Sequence, residues 1–490
     1  MIRSSLWNIA VACASATLLL AGCQSGYRST STQIVAAERA GQYETAASTA
    51  SVAARASEGD AVSRVIYLLE AGRTAQIAGD LEASTEFYAK AFDLVLPYLD
   101  TKPDARVSEA IATTLVNQTL AEYRGTVVER IMLSTLQAIN RLALGQYAEA
   151  RIELNRARDW QQDAVEKAQE QIAQSEKRLS QKADDSGIPA GSLEVPAALR
   201  SAYSGLGDLE AYADWRNPFT SWLRGIYLIA NAGDDGDLGN ARFDLREVVA
   251  MNPEARALVD PDLLAIERRA PAPTTWVLFM SGLAPRLEEF RLDIPIPVGN
   301  VNYVAAAFPV LEPMDGALTE LTLRVGGDSI AGVRLADVDA MVAADYEKRL
   351  PVIVMQEILS AAIKTTATWA AAQAAGDSQG IVNLAGIVYQ AVTTAADLRT
   401  WRTLPKFIYA GRLATPDSGP IELRSTGDRL LGSVEVVPGA YNLVIAILPD
   451  ATAPVARVQS IRLDPGPGVP PAIPAPGTDT QNPSERSSTG

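Results

Sequence analysis

The sequence predicts a multidomain chain, an all-α domain of helical hairpins followed by an α+β domain with a mostly antiparallel sheet. Three observations carry this. Small residues recur at helix-pair spacing over roughly the first 270 positions. The hydrophobic period then falls toward two after "RRAPAPTT" (Arg268 to Thr275). The first 22 residues have a pattern of their own. The expected divisions are 1–22 for a targeting segment, 23–30 for a linker, 31–270 for the helical domain, 271–463 for the α+β domain and 464–490 for a disordered Pro- and Ser-rich tail.

At the N-terminus, Arg3 precedes an uncharged, mostly apolar run from Leu6 to Ala21. A basic start, a short apolar core and small residues at the end form the layout of a secretory signal. The run is marginal as a membrane span, which takes about 20 predominantly apolar residues. Leu20-Ala21-Gly22-Cys23 closes it and resembles the lipobox of bacterial lipoproteins. That resemblance implies a diacylglycerol on the Cys23 sulfur, cleavage before Cys23 and acylation of the new amino group. The other cysteine, Cys13, lies in the discarded segment. Lipidation therefore consumes the one thiol of the mature chain, which an exported protein should not leave exposed. Gln24 in place of an aspartate implies, by the same resemblance, the outer membrane of a Gram-negative cell, with the chain facing the periplasm.

Composition narrows the chemistry. With 48% hydrophobic and 21% charged residues the 490-residue chain is an ordinary globular protein. Its net charge of −15 becomes −16 without Arg3, a poor balance for nucleic acid or for polybasic membrane binding. There is no histidine. Ser-His-Asp and Cys-His hydrolases, His-ligated zinc and imidazole proton shuttles are excluded. Neither a cofactor nor a metal is expected. Carboxylate pairs and Ser-Lys nucleophiles stay open.

In the helical part, Leu68, Gly72, Gly79, Ser84, Tyr88 and Ala91 follow the tetratricopeptide (TPR) pattern, a helix pair of about 34 residues with small residues where the helices touch. Ala138, Gly145, Tyr147, Ala150, Leu154 and Ala157 follow it again, and "LALGQYAEARIELNRA" is the clearest match. Weaker copies surround Gly41 and Ala241. The turn glycines at 41, 79, 145 and 236 are unevenly spaced, so TPR-like hairpins with insertions are expected, not a regular array. Gly72, Gly79, Ala91, Gly145, Ala150, Ala157 and Ala241 are the expected packing positions. From Trp160 to Asp185 a charged stretch carries Val165, Ile172 and Leu179 seven apart, a narrow seam that rests on neighbouring helices or forms a partner-binding arm.

Beyond Thr275, "TWVLFM", "EEFRLDIPIP", "VNYVAAAFPVLEP" and "LTELTLRVGG" read as strands. A helix follows from about Asp339 to Ala375, capped by Asp337 or Asp339, and a second is expected near Ser378 to Asp397. "KFIYAGRLA", "IELRS", "GSVEVVPGAYNLVIAIL" and "VARVQSIRL" return to strand. Glu357 and Lys364 lie seven apart on an otherwise apolar helix and are the best-placed titratable pair. They pair within the domain, reach solvent or mark a polar cleft. "GDDGD" (Gly233 to Asp237) lacks the alternating ligands of a calcium loop and reads as a turn. No catalytic residue is expected.

The whole mature chain resembles an uncharacterised family of TPR-containing bacterial lipoproteins, through Tyr123 to Ala157, "SGLAPRLEEFRLDIPIP" and "DLRTWRTLP" (Asp397 to Pro405). The resemblance implies binding of other proteins and supplies no active-site residue. The expected function is a scaffold for envelope protein partners, anchored by lipid at Cys23. A subunit of a secretion or surface-fibre apparatus and a carboxylate-dependent envelope hydrolase are the alternatives.

Overall fold

The computed structural model describes residues 26–96, 121–203, 212, 214–298, 301–374 and 395–465. Cys23, the signal, the second helix expected near Ser378 to Asp397 up to residue 394, and nearly all of the tail lie outside them; residues 395–397, the end expected for that helix, are not helical. Helices fill the N-terminal half and mostly antiparallel strands the C-terminal part, as the sequence predicts.

The first helix, α1 (residues 26–39), is already helical at Gly26, within the stretch expected to be linker. It is followed by α2 (Tyr43–Ala56), α3 (Arg64–Ala78) and α4 (Leu81–Val95). Gly79 ends α3 at φ +91°, a left-handed conformation that costs glycine nothing. Asp80 then caps α4 by accepting from the Ala83 N–H at 3.1 Å. Where α3 and α4 touch, Gly72 faces the Tyr88 ring so closely that a methyl group there would run into it. The Ser84 hydroxyl donates to the Gly72 carbonyl at 2.6 Å, and Ala91 is fully buried.

Further along come α5 (Val127–Ala143) and α6 (Tyr147–Asp185), joined through Gly145 at φ +71°. A reciprocal cap between Thr126 and Glu129 starts α5. Ala150 and Ala157 are fully buried where α6 packs on α5. Ala150→Leu should overpack this contact by about 1–3 kcal/mol. Thermal unfolding checks it: a lower Tm is expected, and an unchanged one contradicts close packing at Ala150. The charged stretch from Trp160 continues α6 to 39 residues, about 58 Å. Its stripe is not free. Leu179 is buried, and Ala168 and Ile172 pack against the same core.

After α7 (Ala197–Tyr203), Asn217 caps α8 (Pro218–Ala230) with Pro218 in its first turn. Asp234 caps α9 (Asp235–Met251), and Asp237 pairs with Arg151 of α6 at 2.5 Å, so "GDDGD" is a helix start. Ala241 is fully buried on α9, beside Gly225 of α8. Helix α10 (Arg256–Glu267) leads into the strands.

Strands β1 (Thr274–Ser281), β6 (Val333–Asp337), β7 (Phe407–Ala414), β10 (Asn442–Leu448) and β11 (Arg457–Arg462) form a sheet in the order β11-β10-β1-β7-β6. Its one parallel pair is β1–β10. Strands β4 (Thr322–Val325), β5 (Asp328–Ala331), β8 (Ile421–Ser425) and β9 (Arg429–Val434) form a second, in the order β5-β4-β8-β9. Strands β2 (Arg286–Val298) and β3 (Val301–Glu312) pair as a long hairpin. Helix α11 (Val338–Ala374) packs on β3, its start capped by Asp337.

The larger sheet is covered on both faces. Trp276, Leu278, Met280, Leu443 and Ile445 join the helical core, whereas Val277, Phe279, Val444 and Ala446 face the second sheet. This explains why β1 and β10 are near-continuous apolar runs instead of alternating ones. "GSVEVVPGAYNLVIAIL", expected to continue as strand, is divided between β9 and β10. Pro438 lacks the N–H a ladder needs and Gly439 sits at φ +68°, so the chain turns there from one sheet to the other.

The turns of the helix pairs meet edge strand β11 and its flanking loops. Gly41 lies beside Ala453, and Arg457 donates to the Ala78 carbonyl at 2.8 Å. Tyr147 donates to the carbonyl oxygens of Arg462 and Asp464, and Asn231 to that of Leu463. Helix ends thus cover an edge that would otherwise invite pairing with another chain. One apolar core runs through both halves, from Tyr27 to Leu463.

Candidate functional site

Among the described residues, buried polar groups gather at a seam where helices grip the segment Asp397–Pro405, which is neither helix nor strand. Inside a core, such a segment needs partners for its backbone groups. Two carboxylates supply acceptors. Glu129 of α5 accepts from the Trp401 N–H at 2.7 Å, the Tyr123 hydroxyl at 2.6 Å and the Thr126 N–H at 2.8 Å. Glu70 of α3 accepts from the Arg402 N–H at 3.1 Å and the Thr403 hydroxyl at 2.6 Å, and the Tyr27 hydroxyl, whose single proton is shared with the Thr400 carbonyl, lies 3.1 Å away.

Carbonyl groups of the segment are met by donors. The Tyr27 hydroxyl lies 2.6 Å from the Thr400 carbonyl oxygen, and Arg73 Nε lies 3.4 Å from that of Thr403. Trp401, 1% exposed, stands edge-on to Tyr88 and donates through its indole to Thr403. Arg399 ties the start of the segment down, donating to the carbonyls of Val62 and Ala121 and pairing with Asp397. Burial raises both Glu70 and Glu129 above the usual carboxylate range, and their hydrogen bonds oppose that rise.

Glu38 of α1 is the outlier. It is 1% exposed, and neither carboxylate oxygen has a hydrogen-bond partner among the described residues. Burial lifts it from 4.5 to about 8, against the opposing field of Arg73 and with a further push from Glu70. The folded chain therefore holds a proton on Glu38 at pH values where the unfolded chain has lost it. Stability should fall as pH rises from about 4.5 to about 8, by up to about 1.4 kcal/mol per pH unit from this group, and level off above. Glu38→Gln should flatten that fall and make the protein more stable than the parent at pH 9. Chemical denaturation at pH 5 and pH 9 checks it; an equal slope in parent and variant contradicts it.

Glu357 and Lys364 are both buried, 5% and 7% exposed, and electrostatically coupled along α11. Burial pushes Glu357 up to about 8, with Lys364 opposing and Asp397 and Glu289 adding to the rise. Burial lowers Lys364, and Glu357 opposes that. Glu289 also accepts from the Ala396 N–H at 3.1 Å, so this pair lies beside the start of the same segment.

Among the described residues no group of three or more Asp, Glu, His or Cys could hold a metal ion, and no helix is long and apolar enough to cross a membrane. The packing positions Gly72, Gly79, Ala91, Gly145, Ala150, Ala157 and Ala241 are dispersed along the helix pairs and are not gathered into one site. Cys23 lies outside the described residues. Sequence reasoning missed Glu38, Glu70, Arg73 and Glu129. The signal was a charged residue inside an apolar helical run, as in "YLLEAGRTAQIAG" and "VVERIMLSTLQAIN". No family model, curated protein or solved structure matches the chain.

Proposed function

We propose that the chain is a lipoprotein of the outer membrane, anchored through lipid on Cys23 and facing the periplasm, and that it acts as a non-enzymatic scaffold for envelope protein partners. In this reading α3–α4, α5–α6 and α8–α9 are TPR-like pairs, and the chain belongs with the uncharacterised TPR-containing lipoproteins it resembles. The observation that carries the scaffold reading is the use made of the carboxylates. Glu70 and Glu129 are each met by three donors, five of the six coming from the segment and from Tyr27 and Tyr123, so their bonds are spent on holding the segment in place. Helix pairs stacked beside a sheet leave their outer faces for other proteins.

The test is turnover. Purified protein incubated with peptidoglycan and with glycan polymers should release no product. Product release that Glu357→Gln or Lys364→Met abolishes, with the fold intact by circular dichroism, would replace the scaffold with a carboxylate-dependent hydrolase.

A further inference from the structure

A second cluster of charge lies where α5 and α11 meet the turn before α8. Trp215 in that turn is 4% exposed and sits at φ +55°, a left-handed conformation that a bulky side chain adopts only under constraint. Two contacts supply the constraint. Its indole N–H donates to Asp345 of α11 at 2.6 Å, and the Lys348 ammonium stands 4.3 Å from the ring centroid. The ring also forms one wall of a narrow recess, whose other walls include Val128 and Ile131 of α5 and Met341 of α11. Met341, Asp345, Lys348 and Arg349 fall on one stripe of α11, because residues three and four apart share a helix face.

Cations outnumber anions around this recess, in a chain whose net charge is −15. Asp345 is buried and pairs with Arg349 at 2.7 Å, but the Arg349 Nε is buried with no acceptor among the described residues. Arg130 of α5 is half-buried and donates through Nε to the Thr126 carbonyl at 3.3 Å. Its two terminal nitrogens have no acceptor, and it forms no ion pair, among the described residues. Burial works against the charge on Arg130, Asp345 supports it and Arg349 opposes it, so the three groups lie within one another's fields. Lys348 has no carboxylate partner among the described residues either. Glu129, whose field also reaches Arg130, already holds three donors. Glu347 is exposed and lies about 200° around α11 from Asp345.

A planar guanidinium with both terminal nitrogens open fits the two-oxygen face of a carboxylate or a phosphate. We propose that Arg130, Arg349 and Lys348 form a binding site for an oxyanion, the carboxylate or phosphate end group of a small ligand, beside the Trp215 ring. Arg130 supplies two parallel hydrogen bonds, Arg349 and Lys348 supply charge, and the recess takes the first apolar atoms behind the oxyanion. Asp345 is a positioning residue: it holds the Trp215 indole and Arg349 and leaves Arg130 to the ligand. The site is independent of the lipid at Cys23 and of the scaffold reading.

Fluorine NMR of the full chain, purified in detergent and labelled with 5-fluorotryptophan, tests the site. Trp215→Phe identifies the Trp215 resonance by its loss. Sodium phosphate and, separately, the carboxylate of N-acetyl-dialanine are titrated in, with sodium chloride holding the ionic strength constant. A saturable shift of the Trp215 resonance is expected, with the other tryptophan resonances still. Whether phosphate, the carboxylate or both produce it identifies the end group. Arg130→Gln and Arg349→Gln should each weaken binding about tenfold or more, and Arg130→Lys should restore part of the loss because it keeps the charge without the planar fork. A Trp215 resonance that neither anion moves more than chloride does overturns the site, as does a saturable shift that persists unchanged in both glutamine variants. Should either glutamine variant disturb the other tryptophan resonances, Lys348→Met, on a partly exposed side chain, decides the matter. A several-fold fall in affinity there supports the site, and an unchanged affinity overturns it.

Discussion

Trp401→Ala should destabilise the protein by about 3–5 kcal/mol, more than any other single side-chain deletion in the seam. The indole is among the largest fully buried side chains, and its removal leaves a void between the helices and the sheet. It also removes the edge-on contact with Tyr88 and the hydrogen bond to the Thr403 hydroxyl, which itself donates to Glu70. The loss therefore spreads into the polar network, where a buried acceptor with one donor fewer is costly. Because the segment touches α3, α4 and α5 on one side and continues into β7 on the other, both halves should lose stability together. Guanidinium unfolding followed by tryptophan fluorescence and by far-ultraviolet circular dichroism checks this. A single transition shifted to lower denaturant is expected, and a change below 1 kcal/mol contradicts the account of the seam.

Cys23→Ser should abolish membrane anchoring outright. A hydroxyl cannot replace the thiolate that takes up the diacylglycerol, so the precursor stays uncleaved or mis-sorted. Two or more acyl chains give stable binding where one gives only marginal binding, so the effect on partition is all-or-none in practice. Radiolabelled palmitate should enter the parent and not the serine variant. Equal incorporation in both would show that Cys23 is not the acceptor.

How much of this was legible in the sequence differs by element. The succession of helices and then strands was readable because each half carries its own hydrophobic period. Gly79 could be read as a helix end because a left-handed residue there favours glycine, a local property that one residue announces. The division at Pro438-Gly439 was passed over because apolar residues flank it on both sides, so composition did not change where direction did. The seam was illegible for a different reason. Glu70 and Thr403 are 333 positions apart, and neither has a local pattern that points to the other. A glutamate in an apolar helix announces that a partner exists without saying where. The shared core had the same obscurity, since the composition break near Arg268 marks a change of secondary structure and gives no sign that the two parts pack on each other.

The burial of Glu357 and Lys364 shows the limit of a helical wheel. Seven-residue spacing places them on one face, but which neighbours cover that face is decided by α6 and the hairpin β2–β3, far away in sequence. Their coupling within a closed core is a structural arrangement that a polar face on a helix could equally have denied.

The central claim is that the protein works by holding other envelope proteins. Crosslinking in intact cells, followed by purification under denaturing conditions and mass spectrometry, tests it most directly. The account predicts one or a few envelope proteins crosslinked in fixed stoichiometry to the lipid-anchored parent, and their loss from the Cys23→Ser variant. Crosslinks confined to copies of this chain, in a ladder without partners, would contradict the scaffold and favour a self-assembling subunit of an export or surface-fibre apparatus.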